Sequence, residues 1–311
     1  MSANDKLCAG INSQAATCES PEDLIPLPYH YHMLADQTRL TAFREAIEYL
    51  VKPGANVLEL GGGTGVLSFF AAQKARRVWC VEKIGQLART ARKFLEQNRV
   101  GSRVEVIEAD ANDFLPPEPV DVVICEMLHV GLLREKQIAV IQSFKQRYAE
   151  KFGPRLPQFI PEVSFLAVQP VEQSFSFQGF VAPVPVFQAP LAEQPGTLSL
   201  GDPVLYGALE FRESLPSEFT WQGELQIANA GTLNALRFVT KNITAVLETE
   251  GRASEWANQF LVLPLAKSLA VRAGDRIRID FSYRAGDPLD VLSDSLNANV
   301  VVTPQQIERA A

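Results

Sequence analysis

Cysteine, histidine, methionine and tryptophan are scarce in this chain. Its 311 residues include four Cys, three His, three Met and three Trp. Cys8, Cys18, Cys80 and Cys125 are scattered, form no C-x-x-C pair and are not grouped with His30, His32 or His129 at metal-ligand spacing. That argues against a zinc module and for a reduced, cytoplasmic, metal-free chain. No apolar run approaches the ~20 residues that span a bilayer, so no membrane contact is expected. Met1 to Ile25 has no basic stretch leading into an apolar core, so no secretory signal is expected. Basic residues are the minority, 29 against 36 acidic, for a net charge of −7. Phosphate-backbone binding is therefore not expected, so no nucleic-acid partner, whereas a basic partner is tolerated. What remains, 47% apolar and 21% charged residues, is the composition of a folded globular chain. The length admits one large domain or two ordinary ones.

The hydrophobic pattern changes period along the chain. Residues 1–27 are polar and read as a loose arm. From Asp36 to Val51, the residues Leu40, Phe43, Ile47 and Leu50 recur at helical spacing, with Asp36 placed to cap the start. Strand-like runs follow at Val57–Leu60, Val78–Val81, Val104–Ile107 and Val120–Cys125, with helical stretches near Leu67–Gln73 and Gln86–Asn98 between the first three. Such alternation predicts a parallel sheet covered by helices on both faces. Beyond about Pro161 the runs shorten to period two. Arg276–Tyr283 is the clearest: Ile277, Ile279, Phe281 and Tyr283 alternate with polar residues after the turn Ala273-Gly274-Asp275. Trp221–Asn229, Leu236–Leu247, Phe260–Leu265 and Asn299–Val302 look similar. The second half is predicted to be all-β, a barrel or a sandwich, with Gln178–Gly196 as a Pro- and Gln-rich loop or arm.

Four segments carry chemistry. Glu59-Leu60-Gly61-Gly62-Gly63-Thr64-Gly65 lies between the first strand and the next helix. Glycines there let the backbone approach a ligand, and the helix N-terminus offers free N–H groups. Gly61, Gly63 and Gly65 give G-x-G-x-G, and Val66 stands where a dinucleotide fold needs its last glycine. Glu82 ends the second strand, 21 residues beyond Gly61, where an acid can bind both ribose hydroxyls. Asp110, next to Ala111 past the third strand, could accept adenine N6 hydrogens. Past the fourth strand come Glu126 and Glu135, nine residues apart, in a loop beyond the strand ends where ligands of open α/β sheets bind. The N-P-P-Y of nucleobase amino-methylating enzymes is absent.

The glycine motif resembles motif I of S-adenosylmethionine-dependent methyltransferases, and the whole pattern resembles the protein arginine methyltransferase family. That family carries two Glu at this spacing after strand four. It also carries an H-x-x-M-L-x-D-x-x-R helix start, read here as His30-Tyr31-His32-Met33-Leu34-Ala35-Asp36-Gln37-Thr38-Arg39. Its T-H-W loop and K-x-G-E/D turn have counterparts in Ser254-Glu255-Trp256 and Val271-Arg272-Ala273-Gly274-Asp275.

The resemblance implies a Rossmann-like methyltransferase domain over 28–160 and a β-barrel acceptor domain over 161–311. A dimerisation arm at 178–196 would make the chain a homodimer. S-adenosyl-L-methionine would be the cofactor. Arg39 would meet its carboxylate, with His30 alongside. Gly61, Gly63, Thr64 and Gly65 would line it, Glu82 would hold the ribose, and Asp110, Ala111 and Glu126 would complete that side. Glu126 and Glu135 would clamp the acceptor guanidinium. Asp36, Met33, His129, Glu255 and Trp256 would form the rest of the acceptor pocket.

The chemistry suits these residues. A guanidinium is planar and cationic and fits carboxylates bidentately. Two carboxylates offset its repulsion from a sulfonium, and a proton acceptor is needed once the nitrogen is methylated. Without a cation the two acids should raise each other's pKa.

The chain also departs from the family. Met127-Leu128-His129-Val130 replaces W-M-G-Y, and Gln137 stands where asymmetric dimethylating members commonly carry Met. Glu255 replaces the T-H-W histidine, which would set it against Asp36, acid on acid. The acceptor therefore stays open between arginine in a protein or peptide and a small guanidine or amine. Two alternatives remain: a same-fold methyltransferase acting on another small molecule, and a non-catalytic protein that only binds S-adenosylmethionine.

Overall fold

The computed structural model describes residues 27–191 and 193–301. The expected arm, Leu27 apart, lies outside the described residues, as do Cys8 and Cys18.

Two helices open the fold. α1 (Leu27–Ala35) runs into α2 (Gln37–Leu50) through Asp36, whose carboxylate accepts the Arg39 N–H at 2.8 Å and caps α2. α2 buries Arg39, Ala42, Phe43, Ala46 and Ile47, one face at the 3–4 spacing of a helix. Alternating strands and helices follow: β1 (Asn56–Leu60), α3 (Val66–Ala71), β2 (Arg77–Glu82), α4 (Gly85–Gln97), β3 (Val104–Glu108), β4 (Val122–Cys125), α5 (Gln137–Phe152) and β5 (Gln158–Ile160). The five strands form one parallel sheet in the order β3-β2-β1-β4-β5. β1 and β4 are buried along their whole length, as strands covered on both faces must be. The order reverses between β1 and β4, so the crevice at their carboxyl ends is the place for a ligand.

β5 ends the parallel sheet at Ile160, and every later pairing is antiparallel. The strands are β6 (Val163–Gln173), β7 (Ser176–Phe177), β8 (Phe180–Val181), β9 (Val186–Gln188), β10 (Thr197–Ser199), β11 (Val204–Glu210), β12 (Glu218–Gln226), β13 (Gly231–Leu247), β14 (Arg252–Ala257), β15 (Phe260–Val271), β16 (Arg276–Arg284) and, after the short helix α6 (Leu289–Ser295), β17 (Asn297–Val300). Seven of them make a sheet built on β10-β6-β13-β15-β9, with β11 beside β6 and β14 beside β13. β12, β16 and β17 make a second sheet. The two meet through Tyr206, Phe238, Trp221 and Phe281, whose rings lie 5.1–6.4 Å apart. The segment read as a loop or arm, Gln178–Gly196, contains β8 and β9. Around it Phe177, Phe180, Val181, Val184 and Leu191 are exposed.

The halves are joined rather than strung. The hydroxyls of Thr244 and Ser254 both donate to the Ala42 carbonyl of α2, at 3.2 and 3.1 Å.

Candidate active site

The glycine turn forms as its sequence requires. Gly61, Gly63 and Gly65 all have positive φ (80°, 52° and 81°), a region closed to most side chains. The Gly61 and Gly62 N–H groups both donate to the Val81 carbonyl, which ties the turn to the end of β2. Space is also short. A Cβ on Gly61 would lie 2.9 Å from Met127 Cγ, and one on Gly63 would lie 3.2 Å from the His30 ring. Thr64 is buried within the turn.

Glu82 closes β2 with one oxygen accepting the Gly63 N–H at 2.7 Å and the other the Ile84 N–H at 2.8 Å. It thus sits against the glycine turn. Asp110 stands past β3, accepts the Asn112 N–H and pairs with Lys83 at 3.2 Å. Burial works against its charge, but these two contacts hold its carboxyl below the usual range. The turn it begins is gripped by Arg147 of α5, whose guanidinium donates to the carbonyls of Asn112, Asp113 and Phe114. Ala111 is buried there.

Arg39 points from α2 into the same crevice. It is buried, ion-paired with Glu126, and donates to the Met33 carbonyl at 3.3 Å. Burial opposes its charge, yet Glu126, Asp36 and Glu59 hold its pKa above the ordinary value. Among the described residues its Nε has no hydrogen-bond partner, and neither does the buried Nε2 of His30.

Glu126 follows β4 directly. Burial pushes its carboxyl up while Arg39 works against that. Glu135 is close enough to feel it: burial first, then the Glu126 charge, raises Glu135 to about 8. The expected elevation is therefore present in one direction only: Glu126 raises Glu135, whereas Glu126 itself is raised by burial and by Asp36. Glu126 has a cationic partner; among the described residues the Glu135 carboxylate takes no hydrogen bond.

The chain between these acids is strained and externally held. Gly131, Leu132 and Arg134 all have positive φ (67°, 58° and 61°), unfavourable for the two that carry a Cβ. The Leu128 carbonyl accepts from Asn258 Nδ2 at 3.0 Å, and the Gly131 N–H donates to Thr240 Oγ1 at 2.7 Å. Asn258 is itself the end of a buried relay: Ser164 Oγ donates to Asn242 Oδ1, and Asn242 Nδ2 donates to Asn258 Oδ1. From within the first half, Gln137 bonds to the backbone on both sides of Glu126.

Of the remaining pocket residues, Trp256 donates its indole N–H to Asp36 at 3.3 Å and packs edge-on against Phe43. His129 packs edge-on against Phe187 of β9, and burial lowers its pKa to about 4, so it is a neutral ring. Glu255 does not join them. In β14 Ser254 and Trp256 face inward, and the strand's period of two turns Glu255 outward, where it pairs with Lys241 at 2.7 Å. The expected contact between two acids is replaced by Trp256 on Asp36.

Sequence reasoning left three contributors without a role. Glu59, at the end of β1, is buried, accepts both N–H and Oγ–H of Ser68, and is raised by burial to about 7. Gln137 was visible only as a departure, and Asn258 carried no signal because its partners are distant in sequence.

Comparison places this geometry among known proteins. Residues 57–150 match a family model described as a methyltransferase domain. An uncharacterised protein of Methanothermobacter thermautotrophicus is 32% identical over 272 residues, 86% of this chain and 97% of that protein. Another, of Methanocaldococcus jannaschii, is 29% identical over 86% of this chain and 96% of that protein. Protein arginine N-methyltransferase PRMT10 of Arabidopsis thaliana is 35% identical over 133 residues, 42% of this chain and 34% of that protein. Among solved structures, the Trypanosoma brucei PRMT1 enzyme–prozyme heterotetrameric complex with AdoHcy superposes with a TM-score of 0.66 at 19% identity, covering 81% of this chain and 86% of that one. The Arabidopsis thaliana arginine methyltransferase 10 structure gives 0.68 at 19% identity, covering 82% and 87%.

The residues present suit S-adenosylmethionine. A Cβ-free turn leaves room for its backbone approach, and His30 and Arg39 each keep a buried nitrogen without a partner. An acid stands beside the turn for a ribose.

Proposed function

The chain belongs, as a divergent member, to the protein arginine methyltransferase-like family of methyltransferases, and on that premise we propose that it methylates a guanidinium nitrogen of arginine, free or within a protein, held by Glu126 and Glu135. Its cofactor is S-adenosylmethionine. When bound, that group supplies a methyl carbon activated by a sulfonium.

The carrying observation is Glu135: a carboxylate raised to about 8 by burial and by Glu126, with no hydrogen-bond partner among the described residues, in a crevice that already holds one guanidinium. A desolvated acid of that kind favours a cation, and a planar cation with a fork of donors suits two carboxylates best. Arg39 and His30 bind and orient the cofactor from α1 and α2, and Glu82 fixes its ribose. Glu126 and Glu135 hold the acceptor in line and draw its positive charge onto the nitrogens they contact, which leaves electron density on the third. Once that nitrogen is methylated, Glu135, deprotonated when the cation entered and with a pKa of about 8 in the empty site, takes the surplus proton. Trp256 and Asp36 form the outer wall, with the neutral His129–Phe187 pair in place of a large loop aromatic.

The exposed apolar residues of 177–191 support a homodimer made through the 178–196 segment.

The test is mass spectrometry with isotope-labelled cofactor against arginine peptides, free arginine and cell extract. A methylated guanidine product that disappears in Glu126→Gln is expected. Equal transfer by that variant would refute the assigned role of Glu126. A second reading, a guanidine-free small molecule, is favoured by the missing loop aromatic. Label in such a metabolite with none in arginine would select it.

A further inference from the structure

We infer that Gln137 is the positioning residue that sets the spacing of Glu126 and Glu135, an inference that rests on reading those glutamates as the acceptor clamp.

Gln137 is wholly buried. Its Oε1 accepts the Met127 N–H at 2.9 Å and its Nε2 donates to the Cys125 carbonyl at 2.7 Å. Those two peptide groups stand on either side of Glu126. Gln137 is also the first residue of α5, two positions beyond Glu135. One amide therefore joins the backbone of the first acid to the helix that begins beside the second.

The chemistry of the side chain matters. A primary amide presents one donor and one acceptor from a single plane, which these two neighbouring groups require. A hydrocarbon of the same length would fill the space and leave both of them unpaired. The intervening chain turns through three left-handed residues, Gly131, Leu132 and Arg134, and is held from outside itself. The ties from the second half, Asn258 to Leu128, Thr240 to Gly131, Gly286 N–H to the Leu132 carbonyl and Arg134 N–H to the Asp287 carbonyl, all act beyond Glu126. Gln137 completes the set on the near side. A clamp for a planar cation depends on its two carboxylates keeping their separation, and small displacements of reacting groups are costly in rate.

The experiment compares wild type, Gln137→Met and Gln137→Asn as full chains. The first readout is carbon-13 NMR titration of the Glu135 carboxyl without acceptor. That carboxyl faces Glu126, Arg39 and Arg134; Glu126 in turn faces Arg39 and Asp36. Gln137→Met lets Glu126 drift from Glu135, and the Glu135 midpoint falls by about one unit, a tenfold change in proton affinity. The second readout is amide exchange at Met127, which speeds up in Gln137→Met. The third is transfer to free arginine, whose kcat falls about a hundredfold while S-adenosylhomocysteine affinity is retained. Gln137→Asn keeps the amide but is one methylene short, and shows the same changes in smaller measure; it serves if the Met variant does not fold. Loss of melting temperature with unchanged Glu135 titration and unchanged Met127 exchange overturns the inference. Titration and exchange that move as expected, with no variant or wild type methylating arginine, uphold the positioning role and refute the arginine reading instead.

Discussion

The guanidinium of Arg39 is ion-paired with the carboxylate of Glu126, and both side chains are almost wholly buried. The pair links α2 with the first residue after β4. An internal guanidinium thus occupies one arm of a clamp read as built for another.

Arg39→Ala leaves Glu126 buried without its cation. Removing one partner of a buried pair costs roughly 3–5 kcal/mol of stability. S-adenosylhomocysteine should also bind about 1.5–3 kcal/mol more weakly for one lost charge-assisted bond. Thermal unfolding and calorimetry measure the two effects; unchanged affinity would remove Arg39 from the cofactor site.

Transfer to a cationic acceptor should depend on pH through Glu135. Its pKa of about 8 means that most copies carry a proton at neutrality, which a guanidinium must displace. We expect kcat/KM for arginine to rise with pH up to about 8 and level off above it. Stability runs the other way. The folded carboxyl binds its proton more tightly than the unfolded one, whose ordinary value is 4.5, so stability is fully present below that value and is lost as pH rises to about 8. Glu135→Gln should flatten both profiles in part, leaving the Glu59 contribution near 7.

Glu82 holds two backbone N–H groups beside the glycine turn and is proposed to bind the cofactor ribose. Glu82→Ala should weaken S-adenosylmethionine and S-adenosylhomocysteine alike, by about 1.5–3 kcal/mol. Calorimetry that found only the methylated form affected would contradict a ribose contact.

Much of this site could be read along the chain because it is local. The glycine turn and Glu82 belong to neighbouring strand–turn–helix units and the His30–Arg39 segment to the α1–α2 helix pair, where spacing determines position. Glu255 was misplaced because a motif match ignores strand parity, and Trp256, the apolar neighbour, already marked the inward face. β5 escaped notice because three residues carry no period. The bonds of Gln137 and Asn258 could not be read at all: amide partners 10 and 130 residues away leave no pattern in a sequence.

Phe180 and Val181 are about 70% exposed, 73% and 69%, on the β7–β8 hairpin. If that surface joins two copies, Phe180→Asp with Val181→Asp should convert a dimer to a monomer by analytical ultracentrifugation. A wild type that sediments as a monomer would dismiss the arm.

The relay from Ser164 through Asn242 to Asn258 ends on a carbonyl of the acid loop. The second half of the chain therefore holds the first half's loop through Asn258 and Thr240. A severed N-terminal half would retain the glycine turn and Glu82 and could still capture cofactor, while its acids would lose their register. On the proposed roles, cofactor capture and acceptor capture would divide at the seam between the halves, and a foreign barrel grafted onto the first half would have to rebuild Asn258 and Thr240 to hold the acid loop.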